Sequence, residues 1–599
     1  MSGYQPGKTR INPYSVACAF IPVVLAFLVY YGSLANGFVY DDNEQVLRNP
    51  WITSIGYLDD IFLSDSFGFF KETFQKVSYR PIMFVVYMAE YAMFGISPWG
   101  WHLTNVLLHG INGMMVFLVI SRLLAMREDG AGLSSPAVYL APLVGAAVFV
   151  TLPVNAEVVS WVGCVPELSY TLFLLVAFYL YTLAWQGQRS TLPHVLSAVF
   201  FFLALLSKET AIIFPVMVFL YDLARDRYEG LFASTRIVRY LPMAAAVAVY
   251  LIVRSYIIGG VARSGGIDTG VSDYLYFINA FPLFINYLTA LVLPVNDYPL
   301  QVFEPFLSAS EPMVIISVVL VFAFAVFALI FRRRFSALHL FAVVCIILPL
   351  LPALYVPTFS RTPFADRYLY FSTFGFSLLV AMGARSAMMH RGRLYAAVLV
   401  FLLIVLTVVN SVWAAGRSRI WKDDATLWTF AAKGSEKNHV AIHSLGYLAM
   451  KAGRVDEAIS FLERSKRLNN ESSFPDRTLL IMTQSILGAG YQKKGLLDKA
   501  VSEYNNVLRF APEDSFVNYN LGTIYQQQGF LADAVDLYMT ALLLTDDPVH
   551  RKEIYANLGG AYADLGKRAE ALDAYSEALR LAPDDPVLRQ AAEGMQGLR

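Results

Sequence analysis

Two adjacent carboxylic acids, Asp41 and Asp42, are candidates for chemistry because they follow the first long apolar run by only a few residues. A carboxylate at such a position can take a proton from an incoming hydroxyl group, or it can bind a metal ion. Two neighbouring acids in a loop are more commonly a solvated pair. Their role therefore depends on the polar residues that the fold brings beside them.

Further polar residues that could take part in chemistry recur at the ends of later apolar runs. They are Arg80 in Ser78-Tyr-Arg-Pro81, His102 and His109 after Trp101, Glu157 in the loop 153–163, Lys208 in Ser207-Lys-Glu209, Arg361, and Arg367 in Ala365-Asp-Arg-Tyr-Leu-Tyr370. Cations at such positions can hold a phosphate group and stabilise the charge that leaves with it. The alternative for Lys208 and Arg367 is a long side chain that reaches the membrane interface. For the two histidines, packing is the commoner role.

The sequence carries no motif for a nucleotide, redox or zinc cofactor. It has no Gly-x4-Gly-Lys-Ser/Thr loop and no Cys-x-x-Cys, and Cys18, Cys164 and Cys345 lie in or beside apolar runs. The 46 basic residues balance the 46 acidic ones, which argues against a chain organised around nucleic-acid phosphates. We therefore expect no nucleotide or redox cofactor and no nucleic-acid partner, while a single divalent metal ion stays open.

The composition predicts a membrane domain followed by a soluble domain. Hydrophobic residues make up 57% of the 599-residue chain, against about 45–50% in soluble domains. Residues 1–416 carry 24 basic and 22 acidic residues, whereas the much shorter range 417–599 carries 22 and 24. The candidate residues named above thus all lie in the part that is typical of a membrane domain.

Eleven apolar stretches are long enough to cross about 30 Å of hydrocarbon. They lie near 15–35, 100–121, 137–153, 167–186, 192–207, 209–224, 237–257, 312–331, 337–355, 367–386 and 394–415. Two others, 80–95 and 276–293, are short or interrupted by Asn and Pro, and we predict that they lie on or dip into the membrane surface. A cytoplasmic N-terminus places 15 of the 24 basic residues of this part in the cytoplasm, in keeping with the positive-inside rule. The first stretch is then an anchor rather than a removable signal, and everything after Ala415 is non-cytoplasmic.

The soluble part repeats one pattern of Leu-Gly, an aromatic residue, Gly, Ala and a second aromatic residue. The Leu-Gly glycines are Gly446, Gly488, Gly522 and Gly559, which lie 42, 34 and 37 residues apart. A period of 34 residues is that of tetratricopeptide repeats (TPRs), whose helix pairs stack into a solenoid with a concave groove. We predict about four repeats over 439–599, preceded by a linker at 417–438. Such repeats bind proteins or peptides far more often than they catalyse.

The order of these segments resembles the C-type (GT-C) membrane glycosyltransferases. More narrowly, it is similar to the transmembrane-and-TPR (TMTC-type) relatives of the protein O-mannosyltransferases. The resemblance depends on an ordered set: the Asp pair, the Arg-Pro surface helix, the Glu157 loop, the Lys-Glu loop, the Asp-Arg-Tyr-Leu segment and the repeats. It implies an all-α fold, in which a GT-C-like helical bundle over 1–416, with its first outer loop at 36–99, precedes a TPR solenoid.

The resemblance also implies the reaction and the base. A polyprenyl- or dolichyl-phosphate-linked sugar would be transferred to a hydroxyl acceptor on the non-cytoplasmic face, by a displacement that inverts the anomeric centre. Asp41 matches the family's general base. Asp42 stands where the protein O-mannosyltransferases usually have Glu, a departure that the repeat-bearing branch shares, and it remains an alternative base.

The other candidate residues take implied roles around that base. Binding of the donor phosphate falls to Lys208, Arg367, Arg361 and Arg80, and contact with the acceptor or the sugar falls to Glu157 and His102. Some relatives of this fold use a divalent metal ion.

The predicted function is transfer of a hexose to Ser or Thr of a protein that the repeats recruit. The alternatives are a glycan or lipid acceptor, a non-catalytic TPR scaffold, and a transporter. The charged residues cluster at the ends of apolar stretches and in loops, which argues against a transporter. We expect the bacterial inner membrane with periplasmic repeats, or alternatively the endoplasmic reticulum membrane with lumenal repeats.

Overall fold

The computed structural model describes residues 13–69, 78–125, 137–183, 192–225, 234–260, 272–293, 298–302, 304–331, 334–354, 364–390 and 393–597. All regular elements in these ranges are helices, as predicted. The chain divides into two compact units, Met1–Gly434 and Ser435–Arg599.

The first unit contains eighteen of the α-helices within the described ranges. They are α1 (Pro13–Tyr30), α2 (Asp42–Gln45), α3 (Leu58–Leu63), α4 (Pro81–Phe94), α5 (Pro98–Ala125), α6 (Ala137–Thr151), α7 (Ala156–Ser160), α8 (Val165–Leu183), α9 (Leu192–Ser207), α10 (Phe214–Arg225), α11 (Ser234–Ile258), α12 (Asp273–Val292), α13 (Pro312–Ile330), α14 (Ala337–Ile347), α15 (Leu351–Leu354), α16 (Ser372–His390), α17 (Arg393–Ser418) and α18 (Asp424–Gly434).

Eight helical segments of the described ranges are long and apolar enough to cross a membrane, and a ninth is added if α6 and the bent segment that follows it form one span. The predicted count of eleven is therefore not confirmed. Helices α9 and α10 have 16 and 12 residues, and at about 1.5 Å per residue they fall short of the hydrocarbon thickness. Helix α16 is long enough but carries several Ser, Thr and Gly residues.

One stretch that was not counted among the predicted spans does form a helix long enough to cross a membrane. Residues 276–293, expected at the membrane surface, lie in the 20-residue helix α12, which passes the same test of length and composition. Its two internal asparagines and Pro282 do not interrupt it. The polar groups of the Asn279 side chain are satisfied by backbone atoms at 275 and 306. The other surface candidate, 80–95, forms the short apolar helix α4.

The first outer loop is a folded layer whose core holds Trp51, Tyr87 and Trp101. The segment 417–434, which the sequence assigned to a linker, packs on this loop. Gly37 donates its N–H to the Lys422 carbonyl at 2.8 Å. The Trp421 ring also stacks on Trp161 of the loop 153–163, with centroids 5.4 Å apart. Asp423 accepts the Thr426 N–H at 2.8 Å and so caps the start of α18.

The second unit consists of stacked helix pairs. Its helices are α19 (His439–Lys451), α20 (Val455–Glu471), α21 (Arg477–Lys493), α22 (Leu497–Leu508), α23 (Ser515–Gln527), α24 (Leu531–Leu543), α25 (Pro548–Asp564), α26 (Arg568–Leu581) and α27 (Pro586–Gly597). A glycine with positive φ joins the two helices of each pair, for example Gly529 at +84°. The left-handed backbone of these turns explains the periodic glycine in the sequence.

The Leu-Gly glycines let the two helices of a pair approach closely. A Cβ atom at Gly488, Gly522 or Gly559 would lie 2.5, 2.9 or 2.8 Å from a ring atom of the tyrosine sixteen residues later. The glycine and the tyrosine recur together in the sequence because they contact each other in each of these repeats. The unit is a TPR array, as predicted.

Candidate functional site

The two aspartates of the first loop lie at the start of the one-turn helix α2. Tyr40, directly before Asp41, has φ of +55°, which is uncommon for a residue other than glycine. Asp424 holds this backbone, because its Oδ1 accepts the Tyr40 N–H at 2.8 Å and its Oδ2 accepts Asn43 Nδ2 at 2.9 Å. Strained backbone persists where the surroundings hold it in this way, and it clusters at functional sites.

Asp41 and Asp42 differ in their surroundings. The side chain of Asp42 is 0% exposed, and its Oδ2 accepts the Val39 N–H at 3.1 Å. Asp41 is half-buried. Asp42 thus supports the loop, while Asp41 presents a carboxylate that a substrate can reach.

The electrostatics of the two acids differ in the same sense. The pKa of Asp41 is raised to about 6, mainly by burial, which outweighs the lowering by Arg367 and Arg80; Glu44 adds a smaller increase. Burial and the neighbouring Asp41 raise the pKa of Asp42 well above its usual range, against the hydrogen bond from Val39. Arg367 and Arg80, from distant parts of the sequence, therefore both lie near enough to act on Asp41.

Each predicted phosphate-binding cation within the described ranges is paired with a carboxylate. Lys208 Nζ lies 2.6 Å from Glu167 Oε1, and Arg367 Nη1 lies 2.6 Å from Glu157 Oε1. Arg80 binds Glu209 through two hydrogen bonds, Nε to Oε2 at 3.1 Å and Nη2 to Oε1 at 2.7 Å. Guanidinium and carboxylate groups in this bidentate geometry form strong, oriented pairs.

These pairs differ in how far solvent reaches them. The side chains of Lys208 and Glu167 are 4% and 5% exposed, whereas those of Arg80 and Glu209 are 24% and 25% exposed. Arg367 lies over the rings of Trp161 and Tyr368, a cation–π contact that fixes its orientation. Arg80 is thus the most accessible of the three cations.

A fourth pair joins the last long helix to the same region. Arg417 Nη2 lies 2.5 Å from Asp366 Oδ2, directly before Arg367. These two side chains and Glu157 line a small cavity beside Trp421. Glu157 thus lies in this cavity while it is bound to Arg367.

Other candidate residues have packing roles or lie outside the described residues. His102 is buried with Nε2 3.3 Å from the Gly37 carbonyl, and His109 contacts the Tyr370 hydroxyl at 2.7 Å and the Val150 carbonyl at 3.0 Å. His102 thus supports the first loop through the Gly37 carbonyl. Arg361 falls in a range that the structure does not describe.

Sequence reasoning named Glu157, although not as the partner of Arg367, and it missed Glu167 and Glu209 as the partners of Lys208 and Arg80. Glu167 lies in an apolar helix without any distinguishing motif, and Arg417 and Asp424 fall at and beyond the end of the last apolar run. Two acidic residues of the site could have been noticed because each is adjacent to a predicted cation in the sequence. Glu209 follows Lys208, and Asp366 precedes Arg367.

Metal ligands do not cluster in the part of the chain that the structure describes. No group of three or more His, Cys, Asp or Glu side chains there is arranged to hold a metal ion.

The TPR unit carries a groove of about 760 Å³ between its first two repeats. Its lining residues are Glu463, Lys466, Arg467, Asn470, Glu471, Leu487, Tyr491 and Glu503. Lys466 binds Glu503 at 2.6 Å, and the Tyr491 hydroxyl donates to Glu463. The groove therefore offers both signs of charge beside one aromatic and one aliphatic side chain.

Family models described as tetratricopeptide repeat match residues 441–473 and 514–584. These matches fall within the second unit. A solved structure of MamA (AMB-1) is 25% identical and covers 27% of this chain and 82% of its own, with a TM-score of 0.23.

Curated relatives resemble the chain over most of its length. It is 23% identical to protein O-mannosyl-transferase TMTC3 of Mus musculus, over 90% of this chain and 61% of the mouse protein. It is also 23% identical to protein O-mannosyl-transferase F38B6.6 of Caenorhabditis elegans, over 76% of this chain and 63% of the worm protein. The predicted resemblance to TMTC-type proteins is thus confirmed, while the chain spans only about three fifths of these relatives' length.

Proposed function

We propose that the chain is a membrane glycosyltransferase that transfers a hexose, such as mannose, from a polyprenyl-phosphate-linked donor to Ser or Thr of a polypeptide. The observation that carries the proposal is the half-buried Asp41, on which Arg367 and Arg80 both act electrostatically. A base beside paired cations suits a reaction that removes a proton at one point and releases a phosphate at another. The similarity to protein O-mannosyl-transferases along most of the chain supports the same reaction.

Asp41 is the general base of the proposed reaction. It takes the proton of the acceptor hydroxyl as that oxygen attacks the anomeric carbon. The bond between this carbon and the phosphate oxygen breaks, and the electron pair leaves with the lipid phosphate, so the configuration inverts. The accessibility of Asp41 and the burial of Asp42 support this choice between the two acids.

The cations act on the phosphate, and their carboxylate partners hold them in place. Arg80, Arg367 and Lys208 would bind the donor phosphate and stabilise the charge that develops on it. Glu157 and His102 remain proposed contacts of the acceptor or the sugar, and Arg361 remains a proposed phosphate ligand.

The TPR unit would gather the polypeptide acceptor. Its mixed-charge groove with Tyr491 suits a polar, extended peptide, and stacked repeats commonly present such binding surfaces.

We place the reaction on the non-cytoplasmic face of a multi-pass membrane protein. The expectation of a bacterial inner membrane finds no support among the relatives named above, which are animal proteins and fit the endoplasmic reticulum alternative.

Mass spectrometry of exported proteins tests this function in cells that carry wild-type chain, Asp41→Asn or Asp42→Asn. We expect Asp41→Asn to remove a hexose-sized mass from Ser and Thr peptides, with the variant present at its normal level. Asp42→Asn should retain modification in proportion to the amount of folded protein. An unchanged glycoproteome with Asp41→Asn would overturn the protein acceptor. Altered lipid or polysaccharide profiles would then indicate another acceptor, and unaltered ones a scaffold.

A further inference from the structure

Arg254, near the C-terminal end of α11, lies beside the loop that holds Arg80. Its Nη1 is 3.4 Å from the hydroxyl oxygen of Tyr250, one turn earlier on the same helix. The Tyr250 ring faces the Tyr79 ring with centroids 6.4 Å apart, and Tyr79 directly precedes Arg80. The end of α11 and the start of α4 therefore meet at these two tyrosines.

Glu209 interacts electrostatically with both arginines. Its carboxylate holds Arg80 in the bidentate pair. Burial alone would raise the pKa of Glu209, but Arg80 and then Arg254 lower it below its usual range. One carboxylate thus serves two guanidinium groups, and the cluster carries one positive charge in excess.

Arg254 holds that excess charge in a form that a ligand can use. Its long hydrogen bond to Tyr250 is its only hydrogen bond to any residue that the structure describes, and a guanidinium has five N–H donors. In contrast, two N–H donors of the Arg80 guanidinium are already bonded to Glu209. An anion can therefore bind Arg254 without displacing Glu209.

The surroundings of Arg254 favour an anion that is attached to a lipid. Arg254 lies four residues before the end of the candidate membrane span Val238–Ile258, so an anion that is attached to a lipid can approach it from the bilayer. Lys208 and Thr210, the sequence neighbours of Glu209, line a separate small cavity together with Tyr368.

The charges nearest Asp41 come close to balance. Asp41, Glu157 and Asp366 contribute three carboxylates, and Arg367, Arg417 and Arg80 are the cations that act on them. Arg254, which forms no ion pair within the described ranges, carries the charge that is left for a further anion.

We propose that Arg254 is a binding residue for the phosphate of a lipid-linked donor, in a site that it forms with the Arg80–Glu209 pair. This inference deepens the proposed function and depends on it for the identity of the donor. In it, Glu209 fixes Arg80 and reduces the positive charge of the site, and α11 supplies the apolar surface for the lipid chain.

Ligand binding by the full chain in lipid nanodiscs tests the site without any transfer reaction. The probe is a fluorescent polyprenyl phosphate, and the variants are Arg254→Gln and, as a matched control at the other end of α11, Arg239→Gln. We expect Arg254→Gln to weaken binding about ten- to hundredfold, the loss of one charge-assisted hydrogen bond, and Arg239→Gln to bind as wild type. Equal weakening by both variants, or by neither, would overturn the proposal.

Glu209→Gln gives a second test of opposite sign. Because it raises the net charge of the site, we expect binding of polyprenyl phosphate to be retained or tightened. Loss of binding as large as that of Arg254→Gln would show that the excess charge does not bind the ligand. Arg254→Lys, which keeps the charge, covers the case in which Arg254→Gln fails to fold. It should retain most of the binding, and a loss equal to that of Gln would count against the proposal.

Competition distinguishes the possible sources of the phosphate. Inorganic phosphate and phosphatidylglycerol should compete weakly with the polyprenyl phosphate. Competition as strong as that of unlabelled polyprenyl phosphate would assign the site to free phosphate or to bilayer lipid and overturn the donor assignment. If Arg254→Gln binds normally while Asp41→Asn abolishes transfer, this inference fails and the proposed function stands. If binding depends on Arg254 but wild-type chain transfers no sugar, the proposed function fails and the site stands.

Discussion

Lys208 Nζ lies 2.6 Å from Glu167 Oε1, and both side chains are almost completely buried. The two residues come from different helical segments, and the rings of Tyr170 and Tyr368 lie near the ammonium group. A charge in such surroundings depends on its partner, since water cannot replace it. Lys208 therefore contributes to the fold as well as to the proposed phosphate site.

Removal of the Glu167 charge should destabilise the first unit strongly. We expect Glu167→Gln to lower the free energy of unfolding by about 3–5 kcal/mol, because Lys208 is left buried and unpaired. Glu44→Gln breaks the exposed pair with Arg48 and should change it by no more than about 1 kcal/mol. Denaturation of the purified chain in detergent measures the free energy of unfolding of both variants. Equal effects of the two variants would contradict the importance of burial here.

The pH dependence of transfer should report the ionisation of Asp41. A general base acts when deprotonated, so kcat/KM should rise tenfold per pH unit in acid and level off above about pH 6, the raised pKa of Asp41. Glu44 raises this pKa and Arg367 lowers it. The inflection should therefore move to lower pH in Glu44→Gln and to higher pH in Arg367→Gln. A profile flat between pH 5 and 7 would exclude Asp41 as the base.

Asp41→Asn should stabilise the chain while it abolishes transfer. Its pKa in the folded chain, about 6, is higher than the usual 3.8, so the folded state holds the proton more tightly than the unfolded state. The contribution of Asp41 to the free energy of unfolding is then greatest below about pH 4 and is lost as the pH rises through 6. At pH 7 the uncharged amide in Asp41→Asn removes the free-energy cost of holding an ionised carboxylate in this buried position, so Tm should rise. Activity should fall about 100- to 10,000-fold, and a lower Tm at pH 7 would contradict the sign.

Asp424 should act as a positioning residue for Asp41. Asp424→Ala removes both bonds to the Tyr40–Asn43 turn, and we expect kcat to fall about tenfold or more, with little change in KM for the donor. Asp423→Ala removes the cap of α18 and should cost about 1 kcal/mol of stability with kcat unchanged. Steady-state kinetics and thermal unfolding of both variants separate the roles. Parallel losses of kcat would show that only the stability of α18 matters.

The glycine between α23 and α24 should resist substitution. Gly529 has φ of +84°, and Gly529→Ala should destabilise the TPR unit by about 1–2 kcal/mol. Gly594, inside α27 with open space around its Cα, gives the opposite expectation. Gly594→Ala should be neutral or stabilise by up to about 1 kcal/mol. Hydrogen exchange of peptides from residues 435–597 in the full chain compares them, and a loss of protection in Gly594→Ala would contradict the helical assignment.

The sequence predicts the parts of this fold that depend on local patterns. The TPR unit follows from glycines at a regular period, because each repeat contacts mainly its neighbours. The number of spans cannot be derived from local patterns. An apolar run such as 209–224 has the same composition whether it forms one long helix or, as here, contains the 12-residue α10. The positions of Asp41, Arg80 and Arg367 in their loops were predictable from order along the chain.

The pairing within the site was not predictable. Arg80 and Glu209 are 129 residues apart, and Arg367 and Glu157 are 210 residues apart. No periodicity connects residues at such distances, and only the packing of several helices brings them together. The same holds for Arg254, which the sequence places in an apolar stretch with nothing to mark it.

The contact between Tyr40 and Asp424 has a consequence for biosynthesis. The two residues are 384 positions apart, so the turn before Asp41 cannot be completed until almost every helix of the first unit has been made. At roughly 5–20 residues per second, the ribosome needs about 20–80 s to synthesise that stretch. A chain that stops before Asp424 would carry the aspartate pair without the bonds that hold its turn, and we expect it to be no more active than Asp424→Ala.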